Sequence, residues 1–291
     1  MARASRLASA NNAFQRVEAL RRNRTLRHRY REVFVEGVRP INLALEHGWR
    51  FKSLWFGDGR RLSSWAAGVI GRLPQADTYA LSAELMAQLS ERDEPSELVA
   101  VLEMRTSRLA EIASQHDTLI VVADRPGNPG NLGTIIRSCD ALGAHAVLIS
   151  GHAADPFDPQ AIRASMGSVF ALPIVEVGGA ADVAGFVAGK GGLQVVGTDS
   201  DADESIDDVD LSRPTVLILG NEGKGLSYAY RQLCDRIARI PLIGAADSLN
   251  VAAAASIVLY EASRQRRSSP PATTPAPRGR AAAPARQASS D

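Results

Sequence analysis

Residues 118–150, TLIVVADRPGNPGNLGTIIRSCDALGAHAVLIS, decide the fold of this chain. The short apolar run Leu119–Ala123 reads as a buried strand, and the glycine- and proline-rich turn Asp124–Gly133 punctuates it. Leu132–Leu142 then carries apolar residues at helical spacing, and Ala146–Ser150 is a second apolar strand. The alternation continues with helix Pro159–Met166, strand Ile174–Val177, helix Ala180–Ala188 and strand Leu193–Thr198. It closes with strand Thr215–Leu219, helix Ser227–Leu233, strand Ile237–Pro241 and the long helix Asn250–Arg264. Strands alternating with helices predict a parallel sheet covered on both faces, whose ligands bind where strands end and loops begin.

Upstream, Phe14, Val17, Ala19 and Leu20 predict a short amphipathic helix over Asn11–Leu20, followed by strand Val33–Val35, helix Pro40–His47 and strand Ser53–Phe56. Residues 11–104 thus read as a small α/β unit and 105–117 as a linker to a second domain over 118–266. Two domains suit 291 residues at roughly 150 per domain. Residues 1–10 are small and polar, and 267–291 are rich in Pro, Ala, Ser and Arg, so disorder is expected at both ends.

A formal net charge of +1 argues against a nucleic-acid partner until its distribution is read. Between Arg3 and Arg31 stand nine arginines and one acid, Glu18. This block is a candidate phosphate-binding surface, with Arg22, Arg24, Arg27 and Arg29 at its centre; a solvated basic arm is the plain alternative. Cys139 and Cys234 are too few and too distant for a disulfide framework, which fits a reducing cytoplasm. The N-terminus has no apolar signal region, and no stretch approaches the ~20 apolar residues of a membrane span. The five histidines are scattered without ligand spacing, so no metal is expected.

Three loops carry the chemistry. In the first, Gly127, Gly130 and Gly133 could let a backbone approach a ligand, or could simply make a tight turn; their spacing is not the dinucleotide fingerprint. The second, Leu219-Gly-Asn-Glu-Gly-Lys-Gly225, fails as a P-loop, because Ile218 stands where the first glycine belongs and Gly225 where Ser or Thr belongs. It sets a carboxylate, Glu222, among glycines at the end of a buried strand, where sites are built. The third, Ile240–Asn250, offers Ser248 as a helix cap and leads into an Ala-rich helix, fitting tight packing or a subunit interface.

In order and spacing the loops resemble the three motifs of the SpoU-TrmH family of RNA 2'-O-ribose methyltransferases. The resemblance rests on Asn131-x-Gly133-x-x-x-Arg137, Gly220-x-Glu222-x-x-Gly225 and Ser248-Leu249-Asn250. It covers about residues 118–266, and Phe34–Arg39 is similar to the start of the ribosomal-protein-like RNA-binding domain that often precedes this catalytic domain. Gly37–Trp49 and Gly151–Asp158 resemble a branch that modifies ribosomal RNA and confers antibiotic resistance. The resemblance implies a trefoil-knotted, S-adenosyl-L-methionine (AdoMet)-dependent domain, with Thr198, Gly220, Ile240, Leu242 and Leu249 around the cofactor.

It also implies a homodimer in which Arg137 of one subunit reaches the other's pocket. Family proposals make this arginine the base; a guanidinium is ordinarily a permanent cation, so a role in binding the adjacent phosphate is the other reading. Glu222 would orient Arg137 or accept a hydrogen bond, with Asn131, Ser248 and Asn250 fixing the hydroxyl and loop. Arg163 and Ser165, in Arg-Ala-Ser-Met-Gly167, match a family segment near RNA, or form an ordinary helix end. The branch resemblance implies a uridine of large-subunit (23S) ribosomal RNA as the target, with transfer RNA as the alternative, and a non-catalytic RNA-binding protein or a nucleotide-dependent enzyme are the rivals from other classes.

Overall fold

The computed structural model describes residues 4–59, 61–90 and 94–268. The first unit contains β1 (Ser5–Leu7), α1 (Asn12–Arg22), α2 (Arg24–Tyr30), β2 (Glu32–Glu36), α3 (Val38–Glu46) and β3 (Phe51–Gly57). It continues with α4 (Ser64–Arg72), β4 (Asp77–Leu81), α5 (Ala83–Leu89) and β5 (Leu98–Glu103). The sheet order is β1-β4-β3-β5-β2, with β5 antiparallel to both neighbours and the other pairs parallel. The expected disorder of residues 1–10 does not hold for Ser5–Leu7, which add an edge strand to Tyr79–Leu81; residues 1–3 lie outside the described residues.

The arginine run is a helix. Asn23 ends α1 and caps α2 by accepting the Leu26 N–H at 3.1 Å, and Arg31, left-handed at φ 52°, stops it before β2.

The second unit contains β6 (Leu119–Asp124), α6 (Pro129–Ala141), β7 (Ala146–Ser150), α7 (Pro159–Ala164), β8 (Ile174–Val177) and α8 (Ala180–Lys190). After these come β9 (Gln194–Thr198), β10 (Glu204–Ser205), β11 (Thr215–Leu219), α9 (Tyr228–Leu233), β12 (Arg236–Arg239) and α10 (Val251–Ser268). The seven strands run β10-β12-β9-β11-β6-β7-β8, every pair parallel. Helix α6 begins three residues before the expected Leu132, because Asn128 caps it and Pro129 occupies its tolerant first turn. Gly133 lies inside that helix, where a Cβ would stand 2.3 Å from the Ala161 carbonyl oxygen; it serves the close approach of α6 to α7.

Two placements position the site. Strand β12 lies beyond β9 and β11, yet α10 packs on α6 beside the middle of the sheet, with Ala252 and Ala255 buried and Ser138 bonded to Ser256. The segment between them therefore crosses the carboxyl ends of β9 and β11. Helix α10 also runs past the expected Arg264 to Ser268, so the predicted tail keeps Arg267 and Ser268 as helix, and its remainder lies outside the described residues.

One apolar cluster joins the units, from Val33, Val35 and Trp49 to Leu132, Phe157 and Phe170. Arg27, 1% exposed, crosses the junction to Asp155 at 2.8 Å and Asp158 at 3.1 Å. Trp49 donates to the Phe170 carbonyl, and Gly167 sits where a Cβ would press on Pro40. Segment 105–117 packs against both units: Arg105 lies over Trp49, Ser107 donates to Ile174, and Ile112 is buried.

Candidate active site

The carboxyl ends of β9, β11 and β12, with the crossing segment, enclose a cavity of about 380 Å³. Thr198, Gly220, Ile240, Leu242 and Leu249 all line it, as do Glu222 and Ser248. Gly220 is needed there: a Cβ would lie 2.6 Å from the Gly225 carbonyl carbon, two backbone segments that cannot part cheaply. Its lining combines the apolar Ala238, Ile240, Leu242 and Leu249 with the acids Asp199, Asp201 and Glu222 and the cations Lys224 and Arg231.

Beside this cavity the three loops are tied by side-chain amides. Asn250 Nδ2 donates to Asn131 Oδ1 at 3.2 Å, and Asn131 Nδ2 donates to Glu222 Oε1 at 3.2 Å. The other Glu222 oxygen accepts from Asn221 Nδ2 at 3.3 Å and, more loosely, from the Gly127 N–H at 3.4 Å. Asn250 is also the cap of α10, its Oδ1 accepting the Ala252 N–H at 2.9 Å, so the cap is Asn250 rather than Ser248. Glu222 and the segment Pro241–Asn250 remain solvent-accessible.

A buried clamp beneath these loops escaped sequence reading. Asp124, 2% exposed, accepts two bonds from Arg125, at 2.8 and 2.9 Å, and one from the Ser227 N–H at 3.0 Å. Arg125 is left-handed at φ 52°, and Asn221 Nδ2 holds its carbonyl at 2.8 Å. The bidentate bond to Asp124 also raises the Arg125 guanidinium above its ordinary value. First and second loops are thereby fixed to one another. Below them, burial pushes the Tyr230 phenol, bonded to Ser150 at 2.7 Å, up to about 12, and Cys234 likewise to about 12. Asp199, nearly buried, paired with Arg231 and lining the cavity, was also missed.

Arg137 stands apart. It is exposed on α6, makes no hydrogen bond or ion pair among the described residues, and does not line its own chain's cavity. The predicted RNA-binding arginines separate in the same way. Arg27 is a correction: it is buried in an inter-domain ion pair and offers nothing to a phosphate. Arg24 donates to the Ala153 carbonyl, and Arg22 pairs with Glu18. Arg29 is exposed near the Tyr30 ring, and Arg163 is exposed on α7, while Ser165 is buried and bonds the Ile162 carbonyl.

Comparison with known proteins supplies the deciding observation. The SpoU rRNA methylase family model matches residues 118–260, and the model of its L30e-like domain matches 11–100. A 23S rRNA (uridine(2479)-2'-O)-methyltransferase of Streptomyces viridochromogenes is 46% identical over 277 residues, 94% of this chain and 96% of the relative. The chain belongs to the SpoU rRNA methylase family. The SpoU methyltransferase AviRb of that organism, solved in complex with AdoMet, superposes with a TM-score of 0.84 at 46% identity, covering 89% of this chain and 99% of that one. An AdoMet-bound rRNA methyltransferase of Sinorhizobium meliloti superposes at 0.82 with 33% identity, covering 90% and 98%.

The residues present in this SpoU chain fit the same cofactor. The apolar side chains of Ile240, Leu242 and Leu249 suit an adenine, glycines at 220 and 225 admit close backbone approach, and the carboxylates of Asp201 and Glu222 suit a sulfonium and an ammonium. Among the described residues no cluster of three His, Cys, Asp or Glu side chains could hold a metal ion, and no helix is long and apolar enough to cross a membrane.

Proposed function

We propose that this chain uses AdoMet to methylate a ribose 2'-hydroxyl in RNA, the target being a uridine of 23S ribosomal RNA. The observation that carries the reading is the amide chain Asn250–Asn131–Glu222 beside a cavity fit for the cofactor. When bound, AdoMet supplies an electrophilic methyl group on sulfur. An alcohol is a poor nucleophile, so the protein's task is to place the hydroxyl in line and accept its proton or hydrogen bond. Glu222, held by Asn131, Asn221 and Gly127, accepts from that hydroxyl; Ser248, Asn131 and Asn250 hold the sugar. The relative that is a uridine 2'-O-methyltransferase aligns over nearly the whole chain, which favours ribosomal over transfer RNA. Incubating the purified protein with 23S RNA and AdoMet, then digesting to nucleosides, should yield 2'-O-methyluridine by mass spectrometry; methyl on a base, or none, overturns the reading.

Arg137 we assign to the cofactor pocket of a second subunit, where it binds the phosphate next to the target ribose. In support, α10, which packs on α6, exposes Ile257 (42%) and Tyr260 (56%), and Ile243 on the crossing segment is fully exposed. Mixing Arg137→Ala with Glu222→Gln subunits tests this. In a composite dimer, half of the assemblies are mixed and each regains one intact site, so activity returns to about a quarter of the parent's. No recovery would place Arg137 in its own chain's site. The family's trefoil knot belongs to the same proposal, since the segment after β12 already crosses two strand ends to reach α6.

A further inference from the structure

With Arg27 buried and Arg24 tied to the catalytic domain, two of the four arginines expected to meet RNA are spent within the fold. On the face of the first sheet that α1 covers, the start of α1, the end of α2 and the first residues of β2, β3 and β4 enclose a second cavity, of about 700 Å³. The Glu32 carboxylate forms its base, 5% exposed, accepting Arg16 Nε and Nη2 at 2.9 and 2.8 Å and Lys52 Nζ at 2.5 Å. The guanidinium of Arg16 is thereby fixed 4.2 Å over the ring of Tyr30, itself 36% exposed. Asp77 stands on the same walls, and Glu103 accepts from Arg50 Nη1 at 2.9 Å, so cations and carboxylates balance and the groove is polar rather than strongly basic. Arg16 and Lys52 keep 44% and 42% of their side chains open, and Arg50 on the rim keeps 77%. On the same walls, the side-chain amides of Asn12 and Gln75 make no hydrogen bond among the described residues.

We propose that this groove is a second nucleotide subsite, which takes an unpaired base of the RNA substrate. The base stacks on the fixed Arg16–Tyr30 pair, and planar cations and aromatic rings are the surfaces on which splayed bases rest. Asn12 and Gln75 each offer a donor and an acceptor to its edge, and the half-open Lys52, with protons to spare beyond its bond to Glu32, is the nearest cation for a backbone phosphate. The inference rests on the RNA reading above and specifies which part of the N-terminal domain reads the substrate.

The test is fluorescence anisotropy of the full-length protein with fluorescein-labelled heptauridylate, alongside AdoMet calorimetry and methyl transfer to 23S RNA. Tyr30→Ala should bind the oligonucleotide roughly tenfold more weakly or worse, and Gln75→Ala severalfold more weakly, whereas Tyr30→Phe, which keeps the ring, stays within about threefold of the parent. AdoMet affinity should be the same in all four proteins. Oligonucleotide affinities of Tyr30→Ala and Gln75→Ala equal to the parent's, or no binding by the parent, overturn the subsite. Methyl transfer is read separately: a parent that methylates 23S RNA with an unresponsive groove loses only this inference, and a responsive groove without methyl transfer loses only the catalytic reading.

Discussion

The inter-domain junction and the active site are both built from charged and amide side chains, and they use them in opposite ways. At the junction, Arg27 is 1% exposed and its donors are consumed by Asp155, Asp158 and the carbonyls of Leu20 and Arg21. In the active site, Asn250, Asn131 and Glu222 are joined by longer bonds of 3.2 Å at a solvent-accessible surface, and each keeps spare hydrogen-bonding capacity. A closed buried network fixes structure, because every valence is spent within the fold; an open network on a rigid base is free to meet a substrate. The rigid base here is the Asp124–Arg125–Asn221 clamp.

The contrast is broken most severely at the junction. Arg27→Met keeps the volume but strands two carboxylates, one of them 3% exposed, and should cost about 3–5 kcal/mol in urea unfolding. A loss under about 1 kcal/mol would mean that the pair is not closed. On the active-site side, Gly220→Ala should weaken AdoMet binding at least tenfold by calorimetry, because its Cβ would meet backbone at 2.6 Å, a conflict worth about 1–3 kcal/mol. Gly71→Ala on α4, outside the cavity and with nothing within 4 Å of the added Cβ, should bind as the parent does. Equal effects from the two would deny Gly220 its place in the cavity wall.

A smaller effect distinguishes the layer beneath the loops. Tyr230 and Cys234 are each raised to about 12 by burial, from ordinary values of 10.0 and 9.0. Raised acids favour the protonated fold, so their contribution to stability is full below about pH 9 and is lost as pH climbs toward 12. Thermal melts should fall across that range, and Tyr230→Phe should fall less steeply; parallel curves for the two proteins would contradict the buried phenol.

How much of this was legible depends on the distance over which each signal acts. The β/α alternation and the three loops are local patterns, so β7, β8 and β11 fall where the apolar runs place them, whereas the cavity-lining residues were legible only through the resemblance of the loops to the family's motifs. Ser5–Leu7 gave no signal, because an edge strand of three residues buries only part of Leu7. Helix α2 has no apolar periodicity to read. The fate of Arg27 was invisible because its partners lie 128 and 131 positions away, and a buried arginine looks like an exposed one in sequence. The Asp124–Arg125 clamp was hidden for the related reason that Asn221 and Ser227, which complete it, sit in another motif.

The central claim is that three separated loops act as one catalytic unit, and a double-mutant cycle in single-turnover methyl transfer to 23S RNA tests it most directly. Asn131→Ala and Glu222→Gln should each slow the chemical step by about a hundredfold, and the double variant should be no more than about threefold slower than the worse single, since either change disables the same unit. Losses that multiply, or single variants with the parent's rate, would contradict it.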